Sequence, residues 1–147
     1  MTAAGKRVRV LIGAVRGIEQ AAPLFDLGLR LYVANVFFKS GLVKIQSWES
    51  TLMLFEHEYA VPLLSPALAA WLGTAAELIL PPLLALGLAS RATAVALFVF
   101  NIVAVTSYPD ISPAGVKDHV LWGFLLATTF FHGPGPLSLD RLARRWW

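Results

Sequence analysis

The segment Ala67 to Leu88, ALAAWLGTAAELILPPLLALGL, constrains the fold most, because one carboxylate, Glu77, stands in a run of otherwise uncharged residues. At about 1.5 Å of rise per residue such a helix is about 33 Å long, which matches the hydrocarbon core of a bilayer and exceeds what a small soluble core needs. The segment reads as a membrane span. A carboxylate at the centre of a span costs about 2.5–3.5 kcal/mol on insertion scales, so Glu77 has to face protein or water and find a partner. Pro81 and Pro82 carry no amide hydrogen, so the carbonyls of Glu77 and Leu78, four residues back, lose their helical donors. Ala70, Gly73 and Thr74 are small enough to admit a neighbouring helix.

Of the 147 residues, 57% are hydrophobic and 14% charged, against about one quarter charged in soluble domains. That leaves room for one compact unit of four spans, residues 27–45, 67–88, 92–108 and 118–132. Nearly all the basic residues outside the first span, Lys117 excepted, gather at the two chain ends and at Arg91. This pattern argues for orientation in a membrane rather than for nucleic-acid binding. The expected protein is a multi-pass membrane protein with both termini cytoplasmic. Cysteine is absent, which excludes thiolate metal sites, disulfides and dithiol exchange, so any redox role needs a bound cofactor or a partner.

Along the chain, the apolar run Val10 to Val15 is too short for a signal-peptide core before Arg16 and Glu19 interrupt it, and no cleavage is expected. Leu11, Val15 and Ile18, opposite Arg7, Arg16 and Glu19, predict a short surface helix ended by Pro23. In the first span Asn35 and Lys39 share a face, while Arg30 and Lys44 lie near the ends and reach for the interfaces. Trp48 to Tyr59 predicts an amphipathic helix with Trp48, Leu52 and Phe55 on one side, either a surface flap or a lid on a site. The loop Asp110 to Asp118, with Ser112-Pro113 and Gly115, reads as irregular. Gly133 to Pro136 breaks the last span, and Ser138 caps a final helix with Leu139, Leu142, Ala143 and Trp146 opposite Arg141, Arg144 and Arg145.

The expected fold is all-α: an integral membrane four-helix bundle, up-down-up-down, with short interfacial amphipathic helices at the N- and C-termini. The segments Leu31 to Val36 and Leu97 to Ile102 place an asparagine similarly and hint at a two-plus-two repeat. Counted from the outer ends, Lys39 and Asn101 fall in the outer halves of their spans, Glu77 near the middle, and His119 at the outer mouth. We therefore expect one polar cavity with a Glu77–Lys39 ion pair, amide hydrogen bonds from Asn35 and Asn101, and His119 as proton carrier or carbonyl ligand. Met53 and His57, at i and i+4 beside Glu56 and Glu58, are the candidates for a metal. None of the three histidines has ligand spacing to another, so no metal is expected. No phosphate loop or serine nucleophile motif occurs, so no catalytic residue is assigned.

Four further pieces stand in order: Phe38-x-Ser40-Gly41-x-x-Lys44, Glu77, Leu86-Gly87-Leu88 followed by Arg91, and Gly133-x-Gly135-x-x-Ser138-x-Asp140. With them the chain from about Arg30 to Arg141 resembles the DoxX family of small four-span bacterial membrane proteins. The resemblance implies that Phe38, Lys44 and Glu77 share an intramembrane constellation. It also implies a subunit or partner of a quinone-linked redox or stress-response system, with a quinone headgroup bound between helices. A transporter, a metal-stress component or a scaffold for a cytoplasmic partner is the alternative. Small residues at Gly73 and Gly123 would permit a homodimer.

Overall fold

The structure, a computed structural model, describes residues 3–143, with side chains from residue 12 onward except residue 14. The described residues form α1 (Ala3–Gln46), α2 (Trp48–His57), α3 (Pro66–Leu86), α4 (Ser90–Thr106), α5 (Pro113–His132) and α6 (Leu139–Ala143). They contain no strand. α1 packs on α3, α3 on α4, α4 on α5, and α5 closes back on α1, while α2 lies across α1 and α3. The seam of this ring is apolar: Val33, Ala34 and Phe37 of α1 meet Leu84 of α3, Ala94 and Leu97 of α4 and Leu126 of α5. Trp122 and Phe100 flank Phe37 edge-on, with centroids 5.8 and 6.1 Å away.

The outward faces are apolar as well. Trp71, Ile79, Val99, Phe124 and Phe131 are all more than half exposed, an arrangement that water disfavours and hydrocarbon tolerates. α3 and the part of α1 from Val15 to Gln46 are long and apolar enough to cross a membrane.

Helix ends follow local chemistry. Ser65 and Ser112 cap α3 and α5 through side-chain oxygens that accept from Leu68 N and Gly115 N, each followed by proline in the first turn. The stretch expected to be irregular between Asp110 and Asp118 is therefore helical from Pro113 onward. Gly87 ends α3 in the left-handed region (φ 70°), and Leu88 N donates to Leu83 O at 2.9 Å.

Pro23 does not end a surface helix. It sits inside a 44-residue α1 that runs into the first predicted span. Residues 19–22 and 24–25 are exposed, so the carbonyl that loses its donor can be solvated, and good helix formers on either side carry the helix through. Val15 and Ile18 are exposed, as are Arg16 and Glu19, while the side chains of Arg7 and Leu11 lie outside the described residues. At the other end, α6 begins after Ser138, whose hydroxyl accepts from Arg141 N at 3.3 Å, and Arg144, Arg145 and Trp146 lie outside the described residues. The asparagines that hinted at a repeat are not equivalent in the packing: Asn35 is exposed and Asn101 buried.

Candidate functional site

The buried stripe of α3, Ala70, Thr74, Glu77, Pro81 and Leu84, recurs at helical spacing and aims Glu77 at α1. There Gly41 lets the two backbones approach closely, since a Cβ at that position would lie 3.0 Å from Glu77 Cβ. Beside this contact Lys44 Nζ donates to Glu77 Oε2 at 2.7 Å and to Ser40 Oγ at 2.9 Å, and Ser40 Oγ donates to Glu77 Oε1 at 3.0 Å. The three side chains form a closed triangle. Glu77 keeps 7% of its side chain exposed and Lys44 17%, so the pair sits where attraction between charges is weakly screened.

The partner of Glu77 is therefore Lys44, not Lys39. Val33, Phe37, Gly41 and Lys44 lie on the inward stripe of α1. Asn35 and Lys39 are each two residues, or about 200°, from a member of that stripe and come out exposed. Depth along the helix suggested Lys39, and rotational phase decided for Lys44. Phe38 is half-buried against Pro81 and Pro82 in a separate cleft and does not join the triangle.

Asn101 and His119 do pair, though not with Glu77. Asn101 Nδ2 donates to His119 O at 2.9 Å, and His119 Nδ1 lies 2.7 Å from Asn101 Oδ1, with the Trp122 ring 4.8 Å from the imidazole. This double contact ties α4 to α5. Met53 and His57 are exposed on α2, and among the described residues no three His, Asp or Glu side chains gather into a metal-binding group. The two glycines whose small size would permit a dimer each lie against side chains of their own chain. Gly73 meets Phe55 of its own chain, and Gly123 meets Asn101 and Phe98.

Lys44, Glu77 and Ser40 open onto a cavity of about 360 Å³ that His119 also lines. Its walls are otherwise mostly apolar, with Phe55 and Tyr59 contributed by α2 and the turn after it. The amphipathic helix expected over Trp48 to Tyr59 runs from Trp48 to His57 and forms part of the cavity wall. Its Phe55 is buried against Ala69 and Ala70, and Thr51 Oγ1 donates to Lys44 O at 2.8 Å. Tyr59 packs edge-on against Phe55 and Tyr108, at 4.9 and 5.2 Å between centroids. Burial, helped by the nearby charge of Glu77, pushes the Tyr59 phenol above its ordinary value, so it stays a neutral donor. Ser107, also in the wall, is 3% exposed, and its hydroxyl has no hydrogen-bond partner among the described residues.

The DoxX family matches residues 25–109, more than half of the chain. The chain belongs to the DoxX family. No curated protein and no solved structure matches it. The DoxX match covers Ser40, Lys44, Tyr59, Glu77, Asn101 and Ser107, and leaves His119 in the part that follows. Family membership and the apolar helices together make this a membrane protein.

Ser40 stood in the motif Phe38-x-Ser40-Gly41-x-x-Lys44 without a role in the cavity, and sequence patterns assigned none to Tyr59, Ser107 or Tyr108. Ser40 had a signal, since it lies four residues before Lys44 on the same face; the other three come from turns, whose placement no periodicity encodes. Arg30 was misjudged. Expected to reach for the interface, it is 1% exposed and donates to the carbonyls of Leu84, Ala85 and Leu137. It thereby closes the open end of α3 and holds the segment before α6.

Proposed function

We propose that α1 from about residue 27, α3, α4 and α5 cross the bacterial inner membrane as one up-down-up-down unit with both chain ends cytoplasmic. In this reading the Lys44–Glu77 cavity holds the headgroup of a lipophilic quinone for a redox or stress-response partner. The observation that carries the reading is a hydrogen-bonded ammonium–carboxylate pair in the wall of a largely apolar, aromatic-lined cavity. A cavity of this size falls within the range of small-molecule sites.

The residues present fit such a headgroup. A flat ring with oxygens at both ends asks for donors at two points and apolar faces between. Lys44 and the phenol of Tyr59 are donors, the orphan hydroxyl of Ser107 offers a third, and Phe55 supplies a face. When bound, a quinone would supply two-electron, two-proton redox chemistry, with the electrons coming from a partner because this chain encodes no redox centre. The chain's own part is to orient the ring, exclude water beneath α2, and offer Glu77 as an acceptor for a hydroxyl proton.

The pair also clamps α1 to α3 at Gly41, and that observation supports a second reading, a scaffold or transporter in which the charges fix packing or line a path. Thermal unfolding of purified protein with a short-tailed benzoquinone separates the two. Headgroup binding predicts a higher Tm that Ser107→Ala, which leaves both charges in place, reduces. An unchanged Tm at saturating analogue would contradict the quinone reading and leave the scaffold.

A further inference from the structure

At the end of the ring away from Lys44 and Glu77, a second cavity of about 530 Å³ lies between the start of α4, the end of α5 and the start of α6. Arg91, Arg141 and His132 line it. Neither guanidinium has a hydrogen-bond or ion-pair partner among the described residues. We propose that this cavity binds the phosphate of an anionic phospholipid headgroup.

The backbone prepares the site. The opening amides of α4 have no partner within the helix. Asp140 takes two of them, accepting from Ala89 N and Ser90 N at 2.8 Å each, while its own amide donates to Gly87 O at 2.9 Å. This fastening leaves the amides of Arg91 and Ala92 at the positive end of a 17-residue helix, on the cavity wall. Ser90 adds a hydroxyl. It lines the same cavity, is fully buried, and its oxygen has no hydrogen-bond partner among the described residues. Two guanidiniums without a partner among the described residues, two amides and an orphan hydroxyl line one cavity, and the Asp140 carboxylate in the same wall is already engaged by the Ala89 and Ser90 amides, a donor set that suits a tetrahedral phosphate oxyanion.

Depth selects the lipid as the source. The cavity lies at the ends of α4 and α5, beyond apolar helix faces that carry exposed Val99, Phe124 and Phe131. That is the level at which a membrane protein meets headgroups, where basic pockets between helices take anionic lipids. The site is independent of the Lys44–Glu77 cavity and stands whether or not a quinone binds there.

The test uses full-length protein in neutral detergent, with phosphatidylglycerol, phosphatidylcholine or inorganic phosphate added and Tm followed. Phosphatidylglycerol is expected to raise Tm of the native protein, with phosphatidylcholine inactive. The Arg91→Gln/Arg141→Gln protein should need at least about tenfold more phosphatidylglycerol for the same shift, and Ser90→Ala should fall between. Both arginines are exposed and have no ion-pair partner among the described residues, so unliganded Tm of the double variant should equal that of the native protein and show that it is folded. An equal response of all three proteins, or no response of the native one, overturns the proposal. A full shift with inorganic phosphate alone overturns the lipid as the source.

Discussion

Replacing Gly41 by alanine tests the closest approach of α1 and α3, on which the ion pair depends. The added carbon would lie 3.0 Å from Glu77 Cβ and 2.9 Å from Leu78 Cδ2, against the roughly 3.5–4.0 Å at which carbon atoms pack best. Leu78 Cγ would also lie 3.0 Å away, but both Leu78 atoms belong to a flexible side chain that can turn away. Glu77 Cβ is fixed to the backbone of α3, so the helices must part by about 0.5 Å or more at this level. Overpacking of this kind costs about 1–3 kcal/mol, which lowers Tm by roughly 2–12 °C for a chain of this size. Thermal unfolding in detergent reads it directly. Gly28 supplies the control, because nothing lies within 4 Å of a Cβ there, and Gly28→Ala should hold or raise Tm through helix propensity. A Gly41→Ala protein as stable as the native one, or one fully rescued by Leu78→Ala, would refute the reasoning.

Lys44→Met leaves the Glu77 carboxylate buried with Ser40 as its remaining partner, and should destabilise the fold by about 3–5 kcal/mol, whereas Lys44→Met combined with Glu77→Leu should recover most of that loss; chemical unfolding of the three proteins checks both. Arg30→Met removes the donor to Leu84, Ala85 and Leu137 and should expose the segment 133–138 to faster proteolysis, read by mass spectrometry. The folded state holds the Tyr59 proton more tightly than the unfolded chain does. Its contribution is therefore complete below the ordinary phenol value near 10 and is lost as pH rises through the raised one. Tm measured from about pH 9 to 11 should fall less steeply in Tyr59→Phe than in the native protein.

Helices, their order and the burial of Glu77 beside a basic partner were legible because they rest on hydropathy and on the cost of a charge in an apolar run. Membership of the DoxX family was legible from short strings spread over the chain. The partner of Glu77 was not legible: the i, i+4 spacing puts Asn35 and Lys39 on one face without saying that this face turns outward, whereas the inward stripe through Val33, Phe37 and Gly41 leads to Lys44. Pro23 misled because proline's cost in an exposed helix is finite and the flanking residues outweigh it. Arg30 misled because an arginine near a helix end commonly extends to water, and its actual partners are carbonyls far along the chain. The cavity was the least legible part, since Tyr59, Ser107 and Tyr108 reach it from turns.

The central claim is that the cavity at Lys44 and Glu77 receives a lipophilic headgroup, and labelling native membranes with a photoreactive quinone tests it most directly. The expected adducts fall on peptides carrying Phe55, Tyr59, Tyr108 or His119, all in the cavity wall, and disappear with excess unlabelled quinone. Adducts spread over the outward faces of α3 to α5 and indifferent to competitor would contradict it.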